Sequence, residues 1–430
     1  MNNILRTLRD IWNTKDLRNR ILFTVGIIFI FRLVAHVPVP GVETDALRKL
    51  FSGSQLFQLL DLFTGGTLFN FSIIALGLNP YINASIIMQL LGVVVPKIEE
   101  LQKEGEYGMS KINQYTRYLT VPLSLVQSYA VITFLQRSGG GIIGHLSFFQ
   151  VLAIMVTMTA GTVFLMWLGE LITEQGLGNG ISILIFVGIV GRIPASAIQA
   201  GTVITADNAL TFIGLLLVGL LIIMGVVIGT EGVRKITVQY ARRIRGNRQY
   251  GGQTTHLPLR VNQAGVIPII FAVSLILIPG VVGTFLSNVQ NLGLRHFAQM
   301  LTQFSQNIPL YCVVYFLLVV VFTYFYTSVI FNPTKVADEI KKYGGFIPGI
   351  RPGKATADYL GYISNRITLV GAVFLGVIAV IPFILQDITK INVIAFGGTG
   401  LLIVVAVILE TADQLESQLV MRSYEGFLDR

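Results

Sequence analysis

An all-α, polytopic membrane protein is the fold class this sequence predicts, and three features predict it. Ten long apolar runs, near 21–38, 72–95, 118–135, 148–169, 177–195, 210–229, 263–284, 309–331, 367–386 and 391–409, are almost free of charge. Most hold the roughly 20 apolar residues that carry a helix across ~30 Å of hydrocarbon. The chain is 53% hydrophobic and only 12% charged, whereas a soluble domain places about a quarter of its residues as charges. Lysines and arginines between the runs are also one-sided. With a cytoplasmic N-terminus, 24 of the 31 fall on inside segments and six on outside loops, so both termini are expected inside.

Residues 1–20 set Ile4, Leu5, Leu8, Ile11 and Trp12 at helical spacing among charged residues. That is the pattern of an amphipathic helix lying on the inner leaflet. The first run, from Ile21, follows basic residues as a secretory signal would. No A-x-A-like cleavage site follows it, and the chain turns at Pro38-Val39-Pro40-Gly41, so it reads as an uncleaved span. Leu56–Phe71 is apolar but too short to cross, and it carries Asp61 and Gly65-Gly66. Irregular backbone at membrane depth survives only where protein or a water-filled cavity surrounds it. A re-entrant segment on the outer side fits; a short interfacial helix is the alternative.

Spans one to five make an N-terminal half, 21–195, and an external loop, 196–209, follows. Spans six to ten make a C-terminal half, 210–409, ahead of a cytoplasmic tail, 410–430. Five spans per half is an odd number, so the halves, if related, are inverted repeats about an axis in the membrane plane. The fifth run opens with Gly176-Leu-Gly-Asn-Gly180. Its spacing is not G-x-G-x-x-G and no strand precedes it, so nucleotide binding is discarded. Gly225 and Gly229 form a G-x-x-x-G pair that reads as helix packing.

Two inside loops are strongly basic. Loop 231–262 carries Arg234, Lys235, Arg242, Arg243, Arg245, Arg248 and Arg260 against Glu231 alone. Loop 332–366 carries Lys335, Lys341, Lys342, Arg351, Lys354 and Arg366 against three acids. Arginine suits phosphate and carboxylate, so an RNA surface or an acidic protein competes with simple contact to anionic lipid.

Catalytic chemistry is not apparent. The histidines at 36, 145, 256 and 296 lack metal-ligand spacing, and the single cysteine, Cys312, offers no disulfide framework. Glu170 and Glu410 fall at cytoplasmic span ends and read as solvated termini. No catalytic residue, metal or cofactor is expected. Ionisable groups inside a membrane mark ion pathways, and the spans offer essentially Arg32. That counts against an ion-coupled transporter or an intramembrane enzyme and favours a conduit with an apolar lining.

Six stretches bring a resemblance: IALGLNPYINASIIMQLL (74–91), KINQYTRYLT (111–120), GELITEQGLGNGISILIF (169–186), NQAGVIPIIFA (262–272), KKYGGFIPGIRPGKAT (341–356) and FGGTGLLIVV (396–405). In this order they resemble the SecY family, the channel subunit of the bacterial Sec translocon, over nearly the whole chain. The outside loops 136–147 and 284–308 are the least family-like. The resemblance implies two inverted five-helix halves around a central hourglass pore with a lateral gate. It places a pore ring on Ile82, Ile86, Ile181, Ile185, Ile270 and Ile403. A ring of β-branched apolar side chains can close, dewet and yield around a passing chain.

The same resemblance implies a plug at Asp61, Leu62, Phe63, Thr64, Gly65, Gly66, Thr67, Leu68, Phe69 and Asn70. Its two glycines would loosen a helix by roughly 1 kcal/mol each. The gate would form between spans two and three on one side and seven and eight on the other. Asn83 and Gln89 are its candidate polar residues, unless each simply bonds a neighbouring helix. Arg351 falls on the family's key arginine and, with Arg242, Arg243, Arg245 and Arg248, would meet the ribosome or the motor ATPase SecA. Implied partners also include the small membrane subunits SecE and SecG, signal peptides, nascent polypeptides and the lipid bilayer. The implied location is the bacterial cytoplasmic (inner) membrane. The implied function is passage of unfolded secretory proteins, with sideways release of hydrophobic segments into lipid. The rival is a multi-span secondary transporter of a small solute, which would need midplane ionisable or half-helix coordination sites.

Overall fold

The computed structural model describes residues 13–39, 67, 68, 70–137, 147–191, 193, 194, 198, 201, 209–240, 243–245, 248–250, 254–286, 292–389 and 398–428. Its helices are α1 (Lys15–Ala35), α2 (Asn79–Val94), α3 (Pro96–Lys103), α4 (Glu106–Arg137), α5 (Phe148–Gln175), α6 (Gly180–Val190), α7 (Ala209–Glu231), α8 (Ile267–Leu286), α9 (Leu292–Gln306), α10 (Ile308–Ile330), α11 (Pro333–Lys342), α12 (Lys354–Thr389) and α13 (Gly398–Leu428). Its strands are β1 (Val233–Tyr240), β2 (Arg243–Arg245), β3 (Arg248–Tyr250), β4 (Thr254–Arg260) and β5 (Gly345–Phe346).

Each of the ten apolar runs carries a helix. Among the described residues, Phe148–Gln175, Ala209–Glu231, Ile308–Lys342 and Lys354–Thr389 are long and apolar enough to cross a membrane. A fifth crossing arises if α2 and α3, bent by 100° at their junction, count as one span. With 11 residues, α6 is shorter than a crossing requires. Helix α7 shows most plainly what solvent the fold is built for. Leu210, Ile213, Leu216, Leu217, Leu220, Leu221, Met224 and Ile228 are all exposed on it. Only lipid tolerates such a surface.

Local chemistry sets the helix starts. Ser147 and Gln150 form a reciprocal capping box at the head of α5. Asn179, Asn307 and Asn332 cap α6, α10 and α11 through their side-chain oxygens. Proline occupies the opening turn of α2, α3, α10 and α11, where its missing N–H is not needed. The apolar run from residue 72 is not helical from its start: residues 72–78 are mostly turns, and α2 begins only at Asn79. Gly77, at φ +58°, and Pro80 account for the delayed start.

The chain divides into two compact units, one of residues 1–203, 284–295 and 407–430, the other of residues 204–283 and 296–406. In the first, Leu68, Phe71, Ala75 and Leu76 pack with Ile132 and Leu135 of α4 and Ile154 and Met158 of α5. The turns of 72–78 approach α5 closely at Gly161, where a Cβ would sit 2.2 Å from the Ile73 carbonyl oxygen. In the second, α10 runs beside α12, and Tyr311, Tyr315 and Phe383 stack between them. Gly229 of α7 receives the edge of the Phe374 ring, so the G-x-x-x-G pair is a packing contact, made chiefly by its second glycine.

The all-α expectation needs one addition. Loop 231–262 folds as an antiparallel hairpin, β1 with β4, in register from Val233↔Arg260 to Gln239↔Thr254. Strand β5, from the other basic loop, pairs with β1 at Gln239↔Phe346 and Tyr240↔Gly345. Ile236, Val238 and Leu259 of the hairpin then share a small core with Ala337, Ile340, Ile347, Leu360 and Ile363. The two basic loops are one structure.

Gly161→Val is expected to lower the thermal unfolding midpoint in detergent, because the added methyls meet rigid backbone; overpacking of this kind costs about 1–3 kcal/mol. Gly214→Ala, with open space around it, should leave the midpoint unchanged or slightly raised.

Candidate functional site: apolar ring positions and the basic-loop arginines

Four of the six ring candidates lie in the first unit and two in the second. Ile82 and Ile86 are half-buried on α2, one turn apart, and Gln89 continues the same face at i+7. The Gln89 amide donates to Ser85 Oγ at 3.4 Å, on its own helix. Its Oε1 is buried without a partner among the described residues. Asn83 is half-buried beside them.

Ile181 and Ile185 are placed by the tight α5–α6 corner, and that corner explains the Gly-rich motif 176–180. A Cβ on Gly180 would lie 1.9 Å from the Gly169 carbonyl oxygen, and one on Gly169 would lie 3.0 Å from Ile181 Cγ1. Glycine at 180 is what lets the helices cross this closely, and Gly169 leaves room for Ile181. Side chains answer several of the polar groups that the break exposes. Thr173 Oγ1 donates to the Gly169 carbonyl and accepts from Gly180 N, both at 2.9 Å. Asn179 Oδ1 accepts from Ile181 N and Ser182 N. Across on α1, Thr24 Oγ1 accepts from Leu177 N at 3.2 Å, and Arg20 donates to the Gly176 carbonyl at 3.4 Å.

Arg32 belongs to the same scheme. Its guanidinium donates to the Val187 carbonyl near the C-terminus of α6 and fills the space above Gly191. A cation there complements the negative end of the helix dipole. The charge inside the first run is therefore a structural cap. The structure also corrects the reading of Glu170 as a solvated terminus: its Oε1 is 2.6 Å from Arg117 Nε on α4, and its side chain is only 21% exposed. Glu410 is exposed, as expected.

In the second unit Ile270 is half-buried in the first turn of α8, and Ile403 is 1% exposed on α13. Sequence reasoning missed the residues that precede α8. Asn262 Oδ1 and both amide atoms of Gln263 are buried with no hydrogen-bond partner among the described residues. Such orphans cost about 1–3 kcal/mol each. Their signal in the sequence was an adjacent Asn-Gln pair at the head of an apolar run.

Of the plug candidates, residues 61–66 and Phe69 lie outside the described residues. Thr67 and Leu68 are buried, Asn70 is half-buried, and Thr67 O accepts from Ser72 N at 3.0 Å. Among the arginines, Arg242 lies outside the described residues. Arg243, Arg245 and Arg248 fall on the β2–β3 ribbon, with Arg245 directly opposite Arg248 in the register. Arg351 is exposed on a turn whose flanking glycines, Gly349 and Gly353, take φ of +81° and +106°. These angles exclude most side chains. Thr356 Oγ1 donates to the Arg351 carbonyl at 2.9 Å and pins the turn to the head of α12.

A profile of the SecY family matches residues 72–412. The chain belongs to the SecY family. Within it, the protein translocase subunit SecY of Mycobacterium tuberculosis is 46% identical over 435 residues, covering 96% of this chain and 98% of the relative. That of Streptomyces galbus is 47% identical over 434 residues, covering 97% and 98%. Solved channels share the fold. A SecY structure described by its plug domain, said to stabilise the closed state and maintain a membrane seal, superposes with a TM-score of 0.61 at 20% identity, over 93% of this chain and 92% of that one. Sec61 from a canine ribosome–channel complex gives 0.58 at 17% identity with the same coverage.

The shared core beneath the SecY-family basic loops makes a joint failure the expected outcome of damage to it. Leu360→Ala, at a fully buried site, should cost about 2–5 kcal/mol locally. Limited proteolysis of inside-out vesicles should then cut both 231–262 and 332–366 faster, while the apolar helices stay protected.

Proposed function

We propose that this chain is the central channel subunit of a bacterial protein translocase. It passes unfolded secretory proteins across the cytoplasmic membrane and releases hydrophobic segments sideways into lipid. The observation that carries this reading is near-full-length identity of 45–47% to proteins named protein translocase subunit SecY. In this reading ten spans form two inverted halves with both termini inside. Ile82, Ile86, Ile181, Ile185, Ile270 and Ile403 line the constriction. They offer a translocating chain no charge to bind, and as an apolar ring they close by excluding water.

The segment 61–70 is the stopper, a role supported by the plug named for the SecY structure of like fold. The lateral gate runs past Asn83 and Gln89. Gln89 keeps a buried, unpaired oxygen, available to a passing helix. Sorting follows from partitioning: Leu or Ile gains and Asp, Lys or Arg loses, by up to a few kcal/mol, at the bilayer centre. The channel catalyses no reaction and needs no cofactor, so energy comes from a partner such as SecA, the ribosome or the membrane potential. A ribosome partner is supported by the Sec61 neighbour's description as part of a ribosome–channel complex. SecE and SecG complete the assembly. The small-solute transporter reading loses its strongest feature, because Arg32 is bound to the Val187 carbonyl and caps α6.

Replacing Ile403 or Ile270 with Asn puts an amide into a constriction that closes by excluding water. The idle channel should leak ions in planar bilayers and should accept proteins with weakened signal sequences. Unchanged leak and unchanged selectivity in both variants would remove these residues from the ring.

Arg351→Glu reverses one exposed charge without touching a span. SecA-driven translocation into vesicles holding equal amounts of each variant should fall roughly tenfold or more, since losing a charge-paired contact costs about 2 kcal/mol upward. Arg351→Lys should restore only part of the rate, because it keeps the charge and loses the planar fork. Unaltered rates for Arg351→Glu would mean that the turn is merely solvated.

A further inference from the structure

We propose that α9 is a membrane-interface helix that holds the outer end of α8 at a fixed depth against the lipid surface. Its assignment to the outer face rests on the topology of the proposed function; its position at an interface does not.

Three observations carry the inference. The first is reach. Helix α8 ends at Leu286, α9 runs from Leu292 to Gln306, and α10 begins at Ile308. Five residues and then one separate α9 from apolar helices on either side. At ~3.3–3.6 Å per extended residue, α9 cannot stand far from the surface that both helices enter.

The second is the division of its faces. Arg295, His296, Gln299 and Gln303 occupy one arc at 100° per residue, and Leu294, Phe297, Met300 and Phe304 lie toward the other. The third is what covers each arc. Ala298, Leu301 and Thr302 seat on α8 at Gly283, where an added Cβ would meet atoms of all three at 3.0 Å. Ala298 is fully buried by that contact. Beyond this seat the apolar arc is open: Phe297 is 52% and Met300 69% exposed. Val282 at the outer end of α8 and Leu310 and Val313 at the start of α10 are exposed as well. The adjoining ends of the flanking helices thus present apolar side chains too, and a lipid surface is the partner that suits them all. An interfacial helix sinks its apolar face roughly 5–10 Å into the headgroup–acyl boundary and keeps its basic residues among the phosphates. Since α8 also carries Ile270, depth control at Gly283 reaches a ring position along one helix.

The test uses the full chain in proteoliposomes with its two tryptophans, Trp12 and Trp167, changed to Phe. Phe297→Trp or Gln303→Trp is then added, and fluorescence is quenched with lipids brominated at shallow or deep acyl positions. Shallow bromines should quench the Phe297→Trp protein roughly twofold or more over the Gln303→Trp protein, as expected of a helix lying in the interface plane. Deep bromines should quench both weakly. Equal quenching of the two variants, or stronger quenching of Phe297→Trp by deep bromines, would overturn the proposal. A Gln303→Cys variant in a Cys312→Ala background reports sidedness separately. Labelling by an impermeant maleimide from outside supports the outer-face assignment. Labelling from inside only overturns that assignment, and with it the topology, whatever the depth profile gives.

Discussion

Backbone polar groups within an apolar solvent must find their partners inside the protein, and the rest of this structure depends on how that is done. Unbroken helices satisfy the rule by themselves. The informative places are the breaks. At the α5–α6 corner several freed N–H and C=O groups are met by named side chains: Thr173, Asn179, Thr24 and Arg20. Threonine recurs because one hydroxyl can donate to one backbone group and accept from another. Thr173 does both at the same crossing. The motif whose spacing excludes a phosphate loop thus makes a tight helix corner, and its glycines are there for closeness of approach.

In the basic loops the governing balance is between packing and charge. A three-stranded sheet and helices α11 and α12 bury Ile236, Val238, Leu259, Ile340, Ile347 and Leu360, while Arg234, Lys235, Lys341, Lys342 and Arg351 stay exposed. Arg245 opposite Arg248 in the β2–β3 ribbon sets like charges at adjoining positions, an arrangement that destabilises a ribbon standing alone. An anionic partner would relieve that repulsion.

The apolar helices were legible because lipid-facing helices need only composition, and composition is local. Helix starts carry local signals as well, in the Asn, Ser or Pro at the cap. What stayed hidden depended on partners far along the chain. Strand β1 alternates Ile236, Val238 and Tyr240 with polar residues, a period-two pattern in plain view. Its lysines and arginines drew attention to charge instead, and β5, which completes the sheet, lies about a hundred residues later. Glu170 looked solvated because Arg117 is 53 positions away in sequence. The buried amides of Asn262 and Gln263 were invisible for the opposite reason: nothing local distinguishes an unpaired amide from a paired one. The ring positions came from family resemblance alone, since an isoleucine facing a pore and one facing lipid read alike.

That last ambiguity follows from the physics of a passive conduit. A transporter must hold its cargo and so displays charges or polar clusters that stand out against hydrocarbon. A path for chains of every composition gains by holding none of them, because any strong contact would become a trap. Its lining must be apolar, and its polar residues must be committed elsewhere. The disposition of Arg32 fits this demand closely. The charge deepest within the apolar runs is tied to the Val187 carbonyl, where it stabilises a helix end and offers nothing to a passing substrate. Arg351, exposed on its turn, and the arginines of the β2–β3 ribbon lie in elements other than those that carry the proposed ring positions. Recognition and passage thus make opposite chemical demands, and the proposed channel meets them by assigning charge to one set of elements and β-branched hydrocarbon to the other.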